Sequence, residues 1–131
     1  MGFRQVIFLA IALIVASCDY KPKNQGRALY NANCQSCHME QGQGLGQLYP
    51  PIRSSDYVLE HKTELACLIR FGIAGKLDVN GVQYDGEMNG YPRLTETEVS
   101  NLVHYILVEL NAQENPYTIK EIREQLEECA Q

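Results

Sequence analysis

The stretch Cys34-Gln35-Ser36-Cys37-His38 decides how this 131-residue chain is interpreted. It reads C-x-x-C-H, the spacing at which c-type haem is attached. Two thiols three positions apart lie on one helical turn and can add to the two vinyl groups of one haem. The adjacent His38 can then ligate the iron from below the porphyrin. The motif therefore predicts one covalently bound haem, with Cys34 and Cys37 as attachment residues and His38 as an axial ligand.

Two other uses of C-x-x-C agree less well with the rest of the chain. A redox-active dithiol stands at a helix start in a βαβ setting, and the sequence shows no such alternation. Structural zinc takes four ligands, commonly from a second C-x-x-C or an H-x-x-x-H pair. The remaining cysteines and histidines show neither spacing; they are Cys18, Cys67, Cys129, His61 and His104.

The N-terminus has the pattern of a bacterial export signal. One positive charge, Arg4, precedes ten apolar residues at positions 6–15, a length typical of a signal-peptide core and short of the ~20 residues of a spanning helix. The run Val15-Ala16-Ser17-Cys18 resembles a lipobox. This implies that residues 1–17 are a lipoprotein signal peptide and that Cys18 is the lipid anchor. Ordinary cleavage near Ser17, which would leave a free thiol, is the alternative.

The mature chain has the size of one domain. Residues 18–24 are interpreted as a lipidated tether, and residues 25–131 as a monohaem domain with a helical extension from about residue 117. Removing Arg4 leaves 10 basic and 16 acidic side chains, a net charge of −6. This charge disfavours nucleic-acid binding and favours redox partners with basic surfaces. We expect a monomeric domain, lipid-anchored on the periplasmic side of a bacterial membrane.

The secondary-structure pattern is mostly helical. Helices are predicted over residues 24–36, 55–60 and 63–71, from Thr95 to a point before Pro116, and from Thr118 onward. Both late helices begin with a capping box, Thr95-x-x-Glu98 and Thr118-x-x-Glu121. Asn80-Gly81 predicts a small hairpin over residues 77–84, and loops are predicted over 41–51 and 87–93.

Four side chains could supply the second axial ligand: Met39, Met88, His61 and His104. Met39 adjoins His38 and cannot reach the opposite face of the same ring. The two histidines lie in predicted helices and are interpreted as surface or boundary residues. Met88 lies in the polar, turn-rich segment 87–93, a poor place to bury an idle methionine, so we predict that it is the ligand.

Taken in order, the chain has a helix leading into C-x-x-C-H, a proline after a glycine-rich loop, and a methionine before the last major helix. This order resembles the class I c-type cytochromes over about residues 26–110. The resemblance implies a mostly α fold, with helices around one covalently bound haem c and a small β-hairpin before the Met-ligand loop.

The resemblance also implies roles for single residues. Gly26 and Tyr30 would pack against Tyr105. The carbonyl of Pro50, with Pro51 as the alternative, would accept a hydrogen bond from the ligand histidine and tune the iron. Tyr91 is expected beside the ligands as well.

The function implied by the resemblance is one-electron transfer, without enzymatic activity of its own. The partners would be an oxidase, a reductase or a dehydrogenase, served either by a free shuttle or by a subunit of a larger complex. The family commonly has proline directly after the ligand methionine, whereas this chain has Asn89. That departure keeps open an alternative, a haem-based ligand sensor or enzyme with a labile sixth ligand.

Two cysteines remain after the lipid and haem sites are assigned. We hypothesise that Cys67 and Cys129 form a disulfide, in a compartment that permits disulfides. Such a bridge would clamp the terminal helix onto the domain. Two unpaired buried thiols are the alternative.

Overall fold

The computed structural model describes residues 25–114 and 117–130. The predicted signal peptide, the anchor Cys18 and the tether 18–24 lie outside these residues. The helices are α1 (Gln25–Asn33), α2 (Gln35–His38), α3 (Asp56–Glu60), α4 (Leu65–Phe71), α5 (Glu96–His104) and α6 (Ile119–Glu128), with a 3₁₀ turn at Lys62–Glu64 and a π-helical segment at Tyr105–Leu110. The strands are β1 (Gly72–Val79) and β2 (Val82–Asn89).

The predicted fold class is confirmed: a mostly helical domain with one two-stranded antiparallel hairpin. The core lies where α1, α4 and α6 pack against α5 and its π-helical continuation. The chain enters α5 through the predicted capping box, since the Thr95 side chain accepts from Glu98 N and the Glu98 side chain accepts from Thr95 N. Thr118 and Glu121 form the same box at α6. These local signals are confirmed because each depends on residues only three apart.

The contact between α1 and α5 depends on a glycine and two tyrosines. Tyr30 and Tyr105 are both buried, with ring centroids 5.3 Å apart. A Cβ at Gly26 would lie 2.7 Å from the Cβ of Tyr105, closer than real side chains come. Only glycine therefore lets α1 approach α5 at this distance, as the family resemblance implied.

The prediction of one continuous helix over residues 24–36 is wrong, because the helix is interrupted at Cys34. α1 ends at Asn33 and α2 begins at Gln35, with Cys34 at the junction. The helix predicted over 63–71 likewise divides into a 3₁₀ turn and α4. Gly72, with φ of 79°, ends α4, and Gly75 lies inside β1.

The hairpin is confirmed but is longer than predicted, and the loop predicted over 87–93 is wrong for Glu87–Asn89. Asn80 and Gly81 have φ of 52° and 76°, so they form the two-residue turn that the Asn-Gly pair favours. The register set by this turn continues to the pair Gly72–Asn89. Three glycines and several charges lower the strand propensity and conceal these strands in the sequence.

The terminal helix α6 is held against α4 and α5. Ile122 and Leu126 are buried, whereas Ile119, at the start of the helix, is 46% exposed. Cys67 of α4 and Cys129 after α6 form a disulfide, with their Cα atoms 6.0 Å apart. Among the residues of the two described ranges, no helix has the length and apolar character needed to cross a bilayer.

Candidate functional site

The C-x-x-C-H residues share one turn of backbone. The amide of Cys34 donates to Tyr30 O at 2.8 Å, which continues α1 into the motif. The amides of Cys37 and His38 both donate to Cys34 O, at 3.2 and 2.9 Å. The two thiols do not form a disulfide with each other, and both are partly buried. Burial, followed by the neighbouring Cys37, raises the pKa of Cys34 to about 11, so this thiol is protonated before any haem is attached.

The ring of His38 is held in one orientation. It is 8% exposed, and its Nδ1 lies 2.8 Å from the carbonyl oxygen of Pro50. Since a carbonyl can only accept, Nδ1 carries the proton, and Nε2 has a free lone pair. Burial lowers the pKa of His38, and the bond to Pro50 opposes that effect. A buried, neutral imidazole with a fixed tautomer is the form that binds a metal.

The hairpin has one apolar and one polar face. Successive side chains in a strand alternate between faces, and the register places Ile73 opposite Met88 and Leu77 opposite Tyr84. Every position on the apolar face is an apolar or aromatic residue or a glycine: Ile73, Gly75, Leu77, Val79, Val82, Tyr84, Gly86 and Met88. Met88, which we predicted to lie in a loop, is thus a half-buried strand residue, and its backbone is paired in the ladder.

The middle of this apolar face is open. Gly75 pairs with Gly86, and among the described residues no heavy atom beyond the chain neighbours lies within 4 Å of a Cβ built at either. Tyr84 lies next to the gap, and its hydroxyl donates to Gly46 O at 3.1 Å. That bond ties the hairpin to the glycine-rich loop that follows His38. The gap leaves room for a flat apolar group between Met88 and Tyr84, and a side chain at either glycine would fill it.

Two further tyrosines connect the motif to its surroundings. The Tyr91 hydroxyl donates to Asn33 O, at the end of α1. Because Asn33 directly precedes Cys34, this bond places Tyr91 next to the motif, and burial, then the nearby Cys34 and Cys37, raises the pKa of Tyr91. The Tyr30 hydroxyl donates to Met39 O at 2.8 Å. The hydrogen bond of Tyr84 to the glycine-rich loop was not predicted from the sequence; the period-two pattern of residues 72–89 is the signal that would have placed Tyr84 in a strand.

The other candidate ligands have different surroundings. His61 stacks on Tyr57, with ring centroids 4.0 Å apart, and its Nδ1 lies 2.9 Å from Tyr57 O. His104 is exposed on α5. Met39 is adjacent to His38 and has φ of 63°. Hydrogen bonds therefore connect Cys34, Cys37, His38 and Pro50. Tyr91 bonds to Asn33, the residue before Cys34, and the hairpin presents Met88 on its apolar face.

These residues fit a c-type haem. Two thiols and an imidazole occupy one turn, the imidazole has the tautomer that leaves Nε2 free, and the hairpin offers an open apolar surface with a thioether. The fold and this donor set define a c-type haem protein.

Comparison with known proteins agrees with this class. The cytochrome c family model matches residues 24–108, well over half of the chain. The chain therefore belongs to the cytochrome c family, whose members carry covalently bound haem c and transfer electrons.

Three related proteins each match just over three fifths of this chain. Cytochrome c-552 of Thermus thermophilus is 28% identical over 87 residues, which are 62% of this chain and 64% of that protein. A second Thermus thermophilus protein of the same name matches equally well over 57% of its length. The cytochrome c subunit of the quinone alcohol dehydrogenase of Gluconobacter oxydans is 30% identical over 86 residues, 63% of this chain and 18% of that subunit. The chain thus spans less than two thirds of the length of each.

Proposed function

We propose that the protein is a membrane-tethered, one-electron carrier and not an enzyme. Cys34 and Cys37 would attach the haem, and His38 and Met88 would be its axial ligands. Bound in this way, the haem iron supplies the change between the ferric and ferrous states. Met/His ligation gives a higher reduction potential than stronger donors give.

The observation that carries the proposal is the bond between His38 Nδ1 and Pro50 O, 2.8 Å long. It places the proton on Nδ1, fixes the orientation of the ring and strengthens Nε2 as a donor, while burial favours the neutral form of the ring. A ligand held rigidly in both valence states keeps reorganisation small when an electron moves. This is what a carrier needs.

The backbone of Met88 supports the assignment of the second ligand. Its pairing with Ile73 in the ladder holds it more firmly than a free loop would, despite Asn89 in place of the proline common in the family. Gly72 lies so close to Met88 O and Gly90 N that only glycine fits there. With His38 and Met88 both as ligands, the iron would have no open site for a substrate, which favours a carrier over a sensor or enzyme.

Sequence and comparison support the proposed partners and location. Members of the family are generally exported to the periplasm, and we propose that lipid on Cys18 anchors this chain there. The relative in Gluconobacter oxydans is named as a dehydrogenase subunit, so a dehydrogenase, with an oxidase or a reductase, is a candidate partner. Labelling with a fatty acid, lost in Cys18→Ala, tests the anchor.

Optical spectra of the matured protein, with and without carbon monoxide, test the ligands. We expect a low-spin spectrum with a sulfur-to-iron charge-transfer band that carbon monoxide leaves unchanged. Met88→Leu, which conserves volume, should lose the band and bind carbon monoxide. Met39→Leu is the matched control, because the same replacement beside His38 should change neither property.

The opposite spectral results would favour a different function. Ready carbon monoxide binding by the unaltered protein would show a labile sixth position, and a ligand sensor or haem enzyme would then be the better reading. A charge-transfer band that survives Met88→Leu would exclude Met88 as the ligand.

A further inference from the structure

A buried asparagine joins the end of the last core helix to the segment that holds Pro50. Asn111 directly follows the π-helical segment and is 9% exposed. Its Nδ2 donates to Ile106 O at 2.8 Å and to Ile52 O at 3.0 Å. Its Oδ1 accepts from Ser55 N at 3.3 Å. One side chain thus satisfies three backbone groups, two of them more than fifty residues away in the sequence.

The segment around Pro50 can make few backbone hydrogen bonds of its own. Pro50 and Pro51 have no amide hydrogen, so neither can donate to a neighbour. The flanking contacts fix their position instead: Leu45 N donates to Tyr49 O at 2.9 Å on one side, and Ile52 N donates to Gly42 O at 2.8 Å on the other. Asn111 fixes the chain after Pro50, because its side chain donates to the carbonyl of Ile52, two positions further on.

The polar contacts therefore form a continuous path. It runs from Asn111 to Ile52, along two residues of backbone to Pro50, and across the 2.8 Å contact to His38 Nδ1. A shift of Ile52 would change the length and angle of the hydrogen bond that the His38 ring donates. That bond sets how strongly the imidazole donates to a metal.

We propose that Asn111 is a positioning residue, which holds the Pro50 carbonyl against His38 and thereby sets the reduction potential of the haem. The inference rests on the proposed function, since it needs a haem ligated by His38. A weaker bond from Nδ1–H makes the imidazole a poorer donor and stabilises the ferric state less. Loss of the Asn111 contacts should therefore raise the potential.

Two variants of the matured holoprotein test this. Asn111→Ala removes all three hydrogen bonds, and Asn111→Asp keeps the shape and the acceptor for Ser55 N but loses both donors when ionised. We expect the ferric-to-ferrous ratio at fixed potential to fall by roughly threefold in each, a rise of about 28 mV at 59 mV per tenfold. In the ferrous protein, the His38 Nδ1–H signal should also exchange faster with deuterium.

Thr118→Ala is the control, because it removes the capping box of α6 and destabilises the fold away from Pro50. It should leave the potential and the exchange rate unchanged. If Asn111→Ala does not fold, the isosteric Asn111→Asp decides. A low-spin wild-type haem together with unchanged potentials in the Asn111 variants would overturn the role of Asn111. A wild-type protein without a low-spin, two-ligand haem would instead overturn the proposed function.

Discussion

The disulfide between Cys67 and Cys129 joins α4 covalently to the end of α6. Replacing both residues, Cys67→Ser with Cys129→Ser, would release a loop whose ends are 62 residues apart. A chain-entropy treatment gives about 14 cal/mol/K for closing a loop of that size, or about 4 kcal/mol at 25 °C. We expect the double variant to lose stability of that order, because its unfolded state regains the freedom that the bridge removes.

Guanidinium unfolding of the holoprotein, followed by far-ultraviolet circular dichroism, measures the effect. With a slope of roughly 3 kcal/mol per molar for a domain of this size, the midpoint should fall by about 1.3 M. Wild-type protein unfolded with a reductant present is the control, and it should approach the midpoint of the double variant. Alkylation followed by intact mass shows whether the thiols were free at the start.

Two results would refute this reasoning. A midpoint that moves by less than about 0.3 M would mean that the bridge does not restrict the unfolded chain. Alkylation of both cysteines without reductant would mean that the bridge does not form. A broadened, two-step transition would show instead that α6 unfolds separately from the core.

Three further predictions concern the helix contact at Gly26, the two capping glutamates, and the open middle of the hairpin. Gly26→Ala should lower the unfolding free energy by about 1–2 kcal/mol, since overpacking against α5 outweighs the better helix propensity; thermal unfolding measures it, and an unchanged midpoint would contradict the close approach. Capping lowers the pKa of Glu98 and of Glu121 below 4.5, so both stabilise the fold above that pH and lose this effect as pH falls through the lowered pKa. Melting temperatures between pH 6 and 3 should fall less steeply when both are glutamine. Gly86→Val should lower the haem content per chain, because its side chain would fill the open middle of the apolar face. Glu87→Val, on the polar face, should leave the haem content unchanged. Equal haem contents in the two variants would show that the haem does not occupy this opening.

Local signals made much of this fold predictable. The C-x-x-C-H motif and the two capping boxes each involve residues within one helical turn, so their geometry follows from the sequence directly. The Asn80-Gly81 turn predicted the hairpin for the same reason. Its full length was missed because Gly72, Gly75 and Gly86 lower strand propensity, although the alternation of apolar and polar residues continues throughout.

Long-range contacts were harder to foresee. The sequence shows an asparagine at 111 and an isoleucine at 52, and no local rule joins positions 59 apart. A buried amide is recognised only when the fold shows which backbone groups lack partners. The family resemblance supplied the Pro50 contact to His38, and nothing in the residues alone separated Pro50 from Pro51.

The hairpin also bears on how the chain avoids self-association. Its two strands pair only with each other within the described residues, so each has an unpaired edge that could template pairing with another copy. The charges on its polar face, Lys76, Asp78, Asp85 and Glu87, act as gatekeepers against such pairing. A chain that has not yet received its haem would leave the open middle of the apolar face, at Gly75 and Gly86, uncovered beside those edges. Prompt haem attachment would therefore protect the newly made protein from aggregation as well as equip it for electron transfer.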